Sequence, residues 1–324
     1  MITTSTKTMR AVAIDRFGDV GTLQVQTLPV PEVGPEQILI RVESAGVGPW
    51  DAAEREGVFA KMFGMEPRFP HVLGFEGAGT IEAVGEKVDR FRENDLVYGF
   101  ATARSEKGFY AQYTVVRADD ACPIPRGLTT DTAGALTIDG GTALRGLRDT
   151  LHLKANETIM IFGAGGGIGH MAVQLAKRMG ARVFAVASGD DGVALARRLG
   201  ADATVEGHQG DVLAAARKFA PDGLDAALLS AGGPVADQAL QALRAGGRAA
   251  YPNGVQPIPK APSGLDLENY NGAYDRELLE SLNKLIEAGP FEVHIARTFT
   301  LEHIVEAHRA LQTHYLGRLA LRVS

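Results

Sequence analysis

The 324 residues contain a single cysteine, Cys122. One thiol excludes an internal disulfide and a four-cysteine zinc lobe, and Cys122 is expected to pack in the interior as a small apolar residue. No apolar run is long enough to span a bilayer. The opening residues, MITTSTKTMR, lack the apolar core of a secretion signal. A basic excess is missing too: 33 Lys and Arg face 39 Asp and Glu, for a net charge of -6. That balance argues against a phosphate-backbone partner. The chain is therefore expected to bind neither nucleic acid nor membrane and to work in a reducing cytoplasm. None of the eight histidines stands at metal-ligand spacing from another ligand type. No G-x-S-x-G nucleophile turn occurs.

What is present is an ordinary globular composition, 45% hydrophobic and 22% charged, with 39 glycines set singly or in one tight cluster. The length suits two domains. The first third reads as β-rich, with strands over Met9 to Asp15, Gln37 to Val42, Gly79 to Val84, Leu96 to Phe100 and Tyr110 to Val116. Near Thr130 the pattern changes. A helical spacing runs from Thr132 to Leu151, and an apolar strand ends at Phe162. Strands at Arg182 to Ala187, Ala203 to Val205, Leu224 to Leu229 and Arg248 to Tyr251 then alternate with helices at Gly192 to Leu199, Val212 to Phe219 and Val235 to Leu243. Such alternation predicts a parallel sheet covered by helices. An amphipathic helix follows at Arg276 to Ala288, then a helix at Glu302 to Leu311 and a strand at Leu319 to Val323.

The strongest local signal is IMIFGAGGGIGHMAVQLAKRMGARVFAVAS. An apolar strand enters Gly163, Ala164, Gly165, Gly166, Gly167, Ile168 and Gly169, and a long helix leaves it. A tight turn from strand to helix needs backbone angles that a Cβ forbids, Gly166 lets a pyrophosphate approach the main chain, and Gly169 lets the helix lie close on the strand; read strictly, the spacing Ala164-x-Gly166-x-x-Gly169 is a variant of the triple-glycine fingerprint. The free N–H groups of the helix start face the phosphates. Strand, turn, helix and second strand together give the context that a dinucleotide fingerprint requires. Where NAD enzymes usually carry a carboxylate, the second strand ends in Ala187, Ser188 and Gly189. A small polar end with no acid leaves room for a 2′-phosphate, so NADPH is expected ahead of NADH. Ser188 is either its donor or a helix N-cap. Asp190 and Asp191 follow closely, and the nearest basic residues are Arg197 and Arg198.

Further ordered segments carry a resemblance. MRAVAIDRFG, VGPWDAAEREG, FPHVLGFEGAGTIEAVGEKVDRFRENDLVYGF, GFYAQYTVV, LGAD, RAGGRAA and GRLALRV match in sequence order. The chain resembles the medium-chain dehydrogenase/reductase superfamily, and within it the zinc-free quinone oxidoreductase group. The resemblance implies an α/β architecture: a GroES-like β-rich domain over residues 1–131 and 290–324, and a Rossmann doubly wound domain over 132–289. It also implies a homodimer or homotetramer. Zinc members carry ligands where this chain has Gly48, Phe75 and Ile138, none of which can bind zinc. No zinc is therefore expected, and the acceptor is expected to be a small apolar quinone or α,β-unsaturated carbonyl, which delocalises the arriving charge. The Lys and Tyr that often clamp a 2′-phosphate in this group are Gly192 and Gly207 here.

Several positions carry paired readings. Thr142 is expected at a helix start, beside the nicotinamide or as a cap. Trp50 is either a stacking wall for a flat acceptor or a packed side chain. Asp51 and Glu76 form an acid/base pair or make structural hydrogen bonds. Tyr110 packs in the core and His71 lies in a loop. Ser230 and Ala231, and Asn253 with Gly254, follow the fourth and fifth Rossmann strands, where ligand crevices form. Arg318 is exposed or reaches an adenosine phosphate. Two functions fit: an NADPH-dependent reductase of quinones or enones, including an enoyl or alkenal reductase, and a non-catalytic NAD(P)H-binding sensor or structural protein.

Overall fold

The computed structural model describes residues 7–66, 68–101 and 108–323. Its first strand, β1 (Thr8–Ile14), pairs antiparallel with β2 (Gln24–Pro29), Val12 lying opposite Val25. The long β3 (Gln37–Val47) is followed by two short helices, α1 (Pro49–Arg55) and α2 (Val58–Phe63). Then come β4 (His71–Val72), β5 (Glu76–Val84), β6 (Leu96–Phe100), β7 (Tyr113–Arg117), β8 (Ala121–Pro123) and α3 (Thr130–Ala133). Ile38, Ile40 and Val42 of β3 alternate into a core with Ile81, Val97 and Val116, all buried. Cys122 is buried as expected, and burial pushes its thiol up to about 11.

The helical stretch expected from Thr132 to Leu151 is broken. α3 ends at Gly134, where a Cβ would stand 2.8 Å from the backbone of Ser44. It resumes as α4 (Thr137–Leu144) and closes in a π-helical turn, Arg145–Thr150. From there the parallel pattern is regular: β9 (Thr158–Phe162), α5 (Gly167–Arg178), β10 (Arg182–Ala187), α6 (Gly189–Arg198), β11 (Ala203–Glu206), α7 (Val212–Phe219), β12 (Leu224–Leu229), α8 (Pro234–Ala239), β13 (Leu243–Pro252) and β14 (Asp266–Tyr270). The strands order as β11-β10-β9-β12-β13-β14, every neighbouring pair parallel. This is the doubly wound order, with its switch point between β9 and β12. All five residues of β9 are buried, as a strand covered on both faces requires. Met160, Phe162, Phe184 and Val186 pack against α7 and α8 through Val212, Ala216 and Ala236.

The chain continues through α9 (Arg276–Glu287), β15 (Ile295–Thr300), α10 (Ile304–Ala310) and β16 (Arg318–Arg322). β16 pairs antiparallel with β3, completing the sheet β15-β16-β3-β5-β6-β8, with β7 also on β3. A second, three-stranded sheet has the order β2-β1-β4. Two compact units result. One holds the residues up to Ile138, Asp275–Glu280 and those from Ile295 onward; the other holds Asp139–Tyr274 and Ser281–His294. The edges differ from 131/132 and 289/290 because α3 lies on β3, where the Ser44 hydroxyl donates to the Asp131 carbonyl at 3.2 Å. Likewise Arg276 reaches Asp119 at 3.5 Å. The first unit is a GroES-like β-rich domain and the second a Rossmann-like parallel-sheet domain.

Candidate functional site

In the Rossmann unit, β9 ends at Phe162 and the chain turns through Gly163, whose φ of +84° favours glycine. The Gly163 and Ala164 N–H groups both donate to the Val186 carbonyl at 2.9 Å, and Gly166 donates to Gly163 at 3.0 Å. A Cβ on Gly169 would run into the Gly163 carbonyl oxygen and stand 2.7 Å from the Ala164 Cα. A Cβ on Gly166 would meet only that same oxygen, at an ordinary 3.5 Å. Gly163, Gly166, Gly167 and Ile168 are part-exposed, whereas Ala164 and Gly165 are buried. Gly166 is the N-cap of α5 and brings no side-chain cap. The first turn of a twelve-residue helix therefore presents N–H donors to whatever lies over the turn. This uncapped cradle, left open by the missing Cβ of Gly166, fits a pyrophosphate.

Ser230 follows β12 and its hydroxyl points back, donating to Phe162 at 2.9 Å and approaching Gly163 at 3.3 Å. It buttresses the turn, and Ala231 is next to it, part-exposed. Beyond β13, Asn253 and Gly254 are exposed. Asn253 bridges to β14 and its end, donating to Asn271 at 2.6 Å and accepting from Asn269 at 2.7 Å. Thr142 is not at a helix start. It lies within α4, so the capping alternative is corrected: a helix that begins at Thr137 has no open N–H for it. Its hydroxyl pairs with the Tyr274 hydroxyl at 2.8 Å, and its carbonyl accepts from Tyr270 at 3.1 Å. Neither tyrosine is marked by the sequence, because contact over 132 and 128 positions leaves no local pattern.

Ser188 is exposed at the end of β10. It occupies the N-cap position of α6 without making a side-chain cap bond. The expectation of a strand end free of acid is corrected here. β11 runs parallel to β10 with Glu206 in register with Ala187. Its carboxylate thus reaches the same end, accepting from the Gly189 N–H at 3.0 Å.

In the GroES-like unit several polar side chains are buried. Asp51, fully buried, is the third residue of α1 and accepts from the Gly48 N–H at 2.8 Å and the Phe75 N–H at 3.1 Å. Glu76, equally buried, pairs with Arg318 and accepts from the Ile138 N–H at 2.8 Å. The two carboxylates thus have separate structural partners, the second of the two readings. Arg318 is 2% exposed, and its guanidinium lies 4.8 Å from the centre of the Trp50 ring. The expectation of an exposed or phosphate-bound Arg318 is corrected, since its charge is neutralised internally by Glu76. Trp50 is half-buried with its indole N–H enclosed and unpartnered. Its ring fills the room beside Gly48, where a Cβ would stand 2.7 Å from Cη2. His71 is also corrected. It sits buried in β4, 3.0 Å from Glu54, because β4 pairs with β1 and carries it inward. Tyr110 is buried as expected and donates to the Gly46 carbonyl at 3.3 Å.

Burial pushes the Asp51 carboxyl up to about 8, against the lowering effect of its N–H donors. The neutral acid is thus favoured in the fold, and its contribution to stability is complete below the usual carboxylate range and lost as pH rises toward 8. His308, held down to about 3 by burial and by Arg55, has the opposite sign and acts only below about pH 6.5. Burial raises the neighbouring Glu54 carboxyl as well, so the Asp51 effect is read against a variant that lacks only the Asp51 charge. The wild type should lose about 2 kcal/mol relative to Asp51→Asn between about pH 6.5 and 9, at roughly 1.4 kcal/mol per unit. Paired urea denaturation curves at the two pH values measure it; parallel curves would refute the buried neutral acid.

No group of three or more His, Cys, Asp or Glu able to hold a metal occurs among the described residues, and no helix among them is long and apolar enough to cross a membrane. Residues 34–126 match the alcohol dehydrogenase GroES-like domain family, and residues 167–262 the family described as zinc-binding dehydrogenase. The chain is 33% identical over 192 residues to the quinone oxidoreductase of Mus musculus, an alignment covering 58% of this chain and 55% of that protein. It is 33% identical over 210 residues to an NAD-dependent alcohol dehydrogenase of Sulfolobus acidocaldarius, covering 57% and 60%. The chain thus spans little more than half the length of these curated relatives. The solved quinone oxidoreductase of Coxiella burnetii superposes with a TM-score of 0.82 at 27% identity, over 98% of this chain and 100% of that one. With the doubly wound sheet, the glycine turn and the GroES-like unit all in place, the chain belongs to the medium-chain dehydrogenase/reductase superfamily, in its quinone oxidoreductase-like group.

Proposed function

We propose that this chain is a zinc-independent oxidoreductase that uses a nicotinamide dinucleotide to reduce a small apolar quinone or α,β-unsaturated carbonyl. The observation that carries the reading is the glycine-rich turn from Gly163 to Gly169, uncapped at Gly166 and set at the switch point of a doubly wound sheet. When bound, the dinucleotide supplies the hydride. The protein's part is to hold it. The N–H groups at the start of α5 bind the pyrophosphate. The backbone at Ser230, Ala231, Asn253 and Gly254 bounds the crevice at the carboxyl ends of β12 and β13. Thr142, pinned by Tyr274 and Tyr270, offers a hydroxyl beside the nicotinamide. Trp50 presents the only indole of the chain as a wall for a flat acceptor.

The donor set supports a reaction without zinc. Gly48, Phe75 and Ile138 bring no ligand atom, and the Trp50 ring occupies the space a side chain at position 48 would need. A conjugated acceptor suits such a site, because its own π system spreads the incoming charge and proximity supplies much of the rest.

Calorimetric titration with NADH and NADPH, followed by dinucleotide consumption across a panel of quinones, enones and simple alcohols, tests the proposal. Saturable binding with turnover confined to conjugated acceptors is expected. Binding without turnover on any acceptor would mark a non-catalytic sensor instead. A stoichiometric zinc ion required for activity would overturn the zinc-free reading.

A further inference from the structure

We infer that Glu206, at the end of β11, selects against a 2′-phosphate and makes the adenosine end of the site one for NADH. This rests on the dinucleotide reading above and reverses the NADPH preference that the small Ser188 end suggests. The parallel register places Glu206 beside Ala187, and the Gly207 N–H donates to the Ala187 carbonyl at 2.8 Å. A residue 19 positions on thus stands where a dinucleotide fold usually carries its ribose-binding acid at the end of the preceding strand.

The carboxylate is held there firmly. One oxygen accepts from the Gly189 N–H at 3.0 Å, the other from His208 at 2.8 Å and Gln209 at 2.5 Å. These bonds, that from Gly189 foremost, keep it below the ordinary carboxylate range, so it carries its charge at neutral pH. The Gly189 N–H, the first donor after Ser188, is therefore already taken by an anion. Asp190 and Asp191 add two more acids in the first turn of α6. The arginines in the last turn of the same helix are engaged elsewhere: Arg197 donates to Thr204 at 3.1 Å and Arg198 pairs with Glu292. A ribose 2′-hydroxyl can donate to such a carboxylate. A 2′-phosphate brings only negative charge and acceptors to it.

ADP-ribose and 2′-phospho-ADP-ribose isolate this end of the ligand from any redox step. Calorimetry on the full chain should show ADP-ribose binding about tenfold tighter or more at low salt. The ratio should shrink as ionic strength rises. Glu206→Gln keeps the acceptor toward Gly189 and removes the charge, and should bring the two ligands to within about threefold. Tighter binding of the phosphorylated ligand by the wild type overturns the inference, as does a salt-independent ratio or an unchanged ratio in a variant with a wild-type melting curve. In each of those cases the dinucleotide reading survives. Binding of neither ligand removes that reading and this inference together.

Discussion

Gly169→Ala is expected to lower the melting temperature and to weaken dinucleotide binding by at least about tenfold, for a single added methyl group. The reason is local. The position of that methyl overlaps the Gly163 carbonyl oxygen and lies 2.7 Å from the Ala164 Cα. Both are backbone atoms of a turn that the Ala164 N–H, the Ser230 hydroxyl and the Val186 carbonyl already hold. No side chain can swing aside, so α5 must move away from β9. Overpacking of this kind costs about 1–3 kcal/mol. Gly166→Ala is the control with the opposite profile. Its φ of -85° suits any residue, and its Cβ makes one ordinary contact. It should leave the melting temperature unchanged while still weakening NADH, because its methyl projects into the space assigned to the pyrophosphate. Thermal melts and calorimetry on both variants separate the two effects. Wild-type affinity in Gly166→Ala would remove the pyrophosphate from the turn.

Arg318→Met should destabilise the GroES-like unit by about 3–5 kcal/mol, the usual consequence of stranding a buried charge. Glu76 is fully buried, and Arg318 is its buried counter-charge. With methionine at 318, the Ile138 N–H still reaches the carboxylate at 2.8 Å, but the Arg318 charge no longer faces it. The stacking of the guanidinium on Trp50 at 4.8 Å is lost as well. Adding Glu76→Gln to Arg318→Met should recover part of the loss, since a neutral amide needs no counter-charge. Arg318→Met alone should therefore be less stable than the double variant in urea denaturation. Equal stabilities would show that the pair contributes packing and not charge compensation.

Much of this molecule is legible residue by residue. Arg182 to Ala187, Val212 to Phe219 and Leu224 to Leu229 lie in the structure at the bounds that apolar periodicity indicates. A buried parallel strand must be apolar throughout, and a surface helix must repeat its apolar face. The glycine turn is equally local, because backbone angles and Cβ clearance are properties of a few consecutive residues. Strands with exposed faces are harder to see. β2, with its QVQTLP sequence, and β15 lie at sheet edges, where burial imposes little pattern.

The candidate site divides along the same line. Which residues make the phosphate turn, and that positions 48, 75 and 138 lack metal ligands, follows from residue type alone. Which acid meets the ribose end follows from the register of β10 with β11, and that pairing depends on the whole sheet. The Glu76–Arg318 pair spans 242 positions and the Thr142–Tyr274 pair 132. Local pattern tells a strand which face to bury. It does not tell a buried charge which distant partner will neutralise it, and only the assembled sheet and its packed helices make that choice.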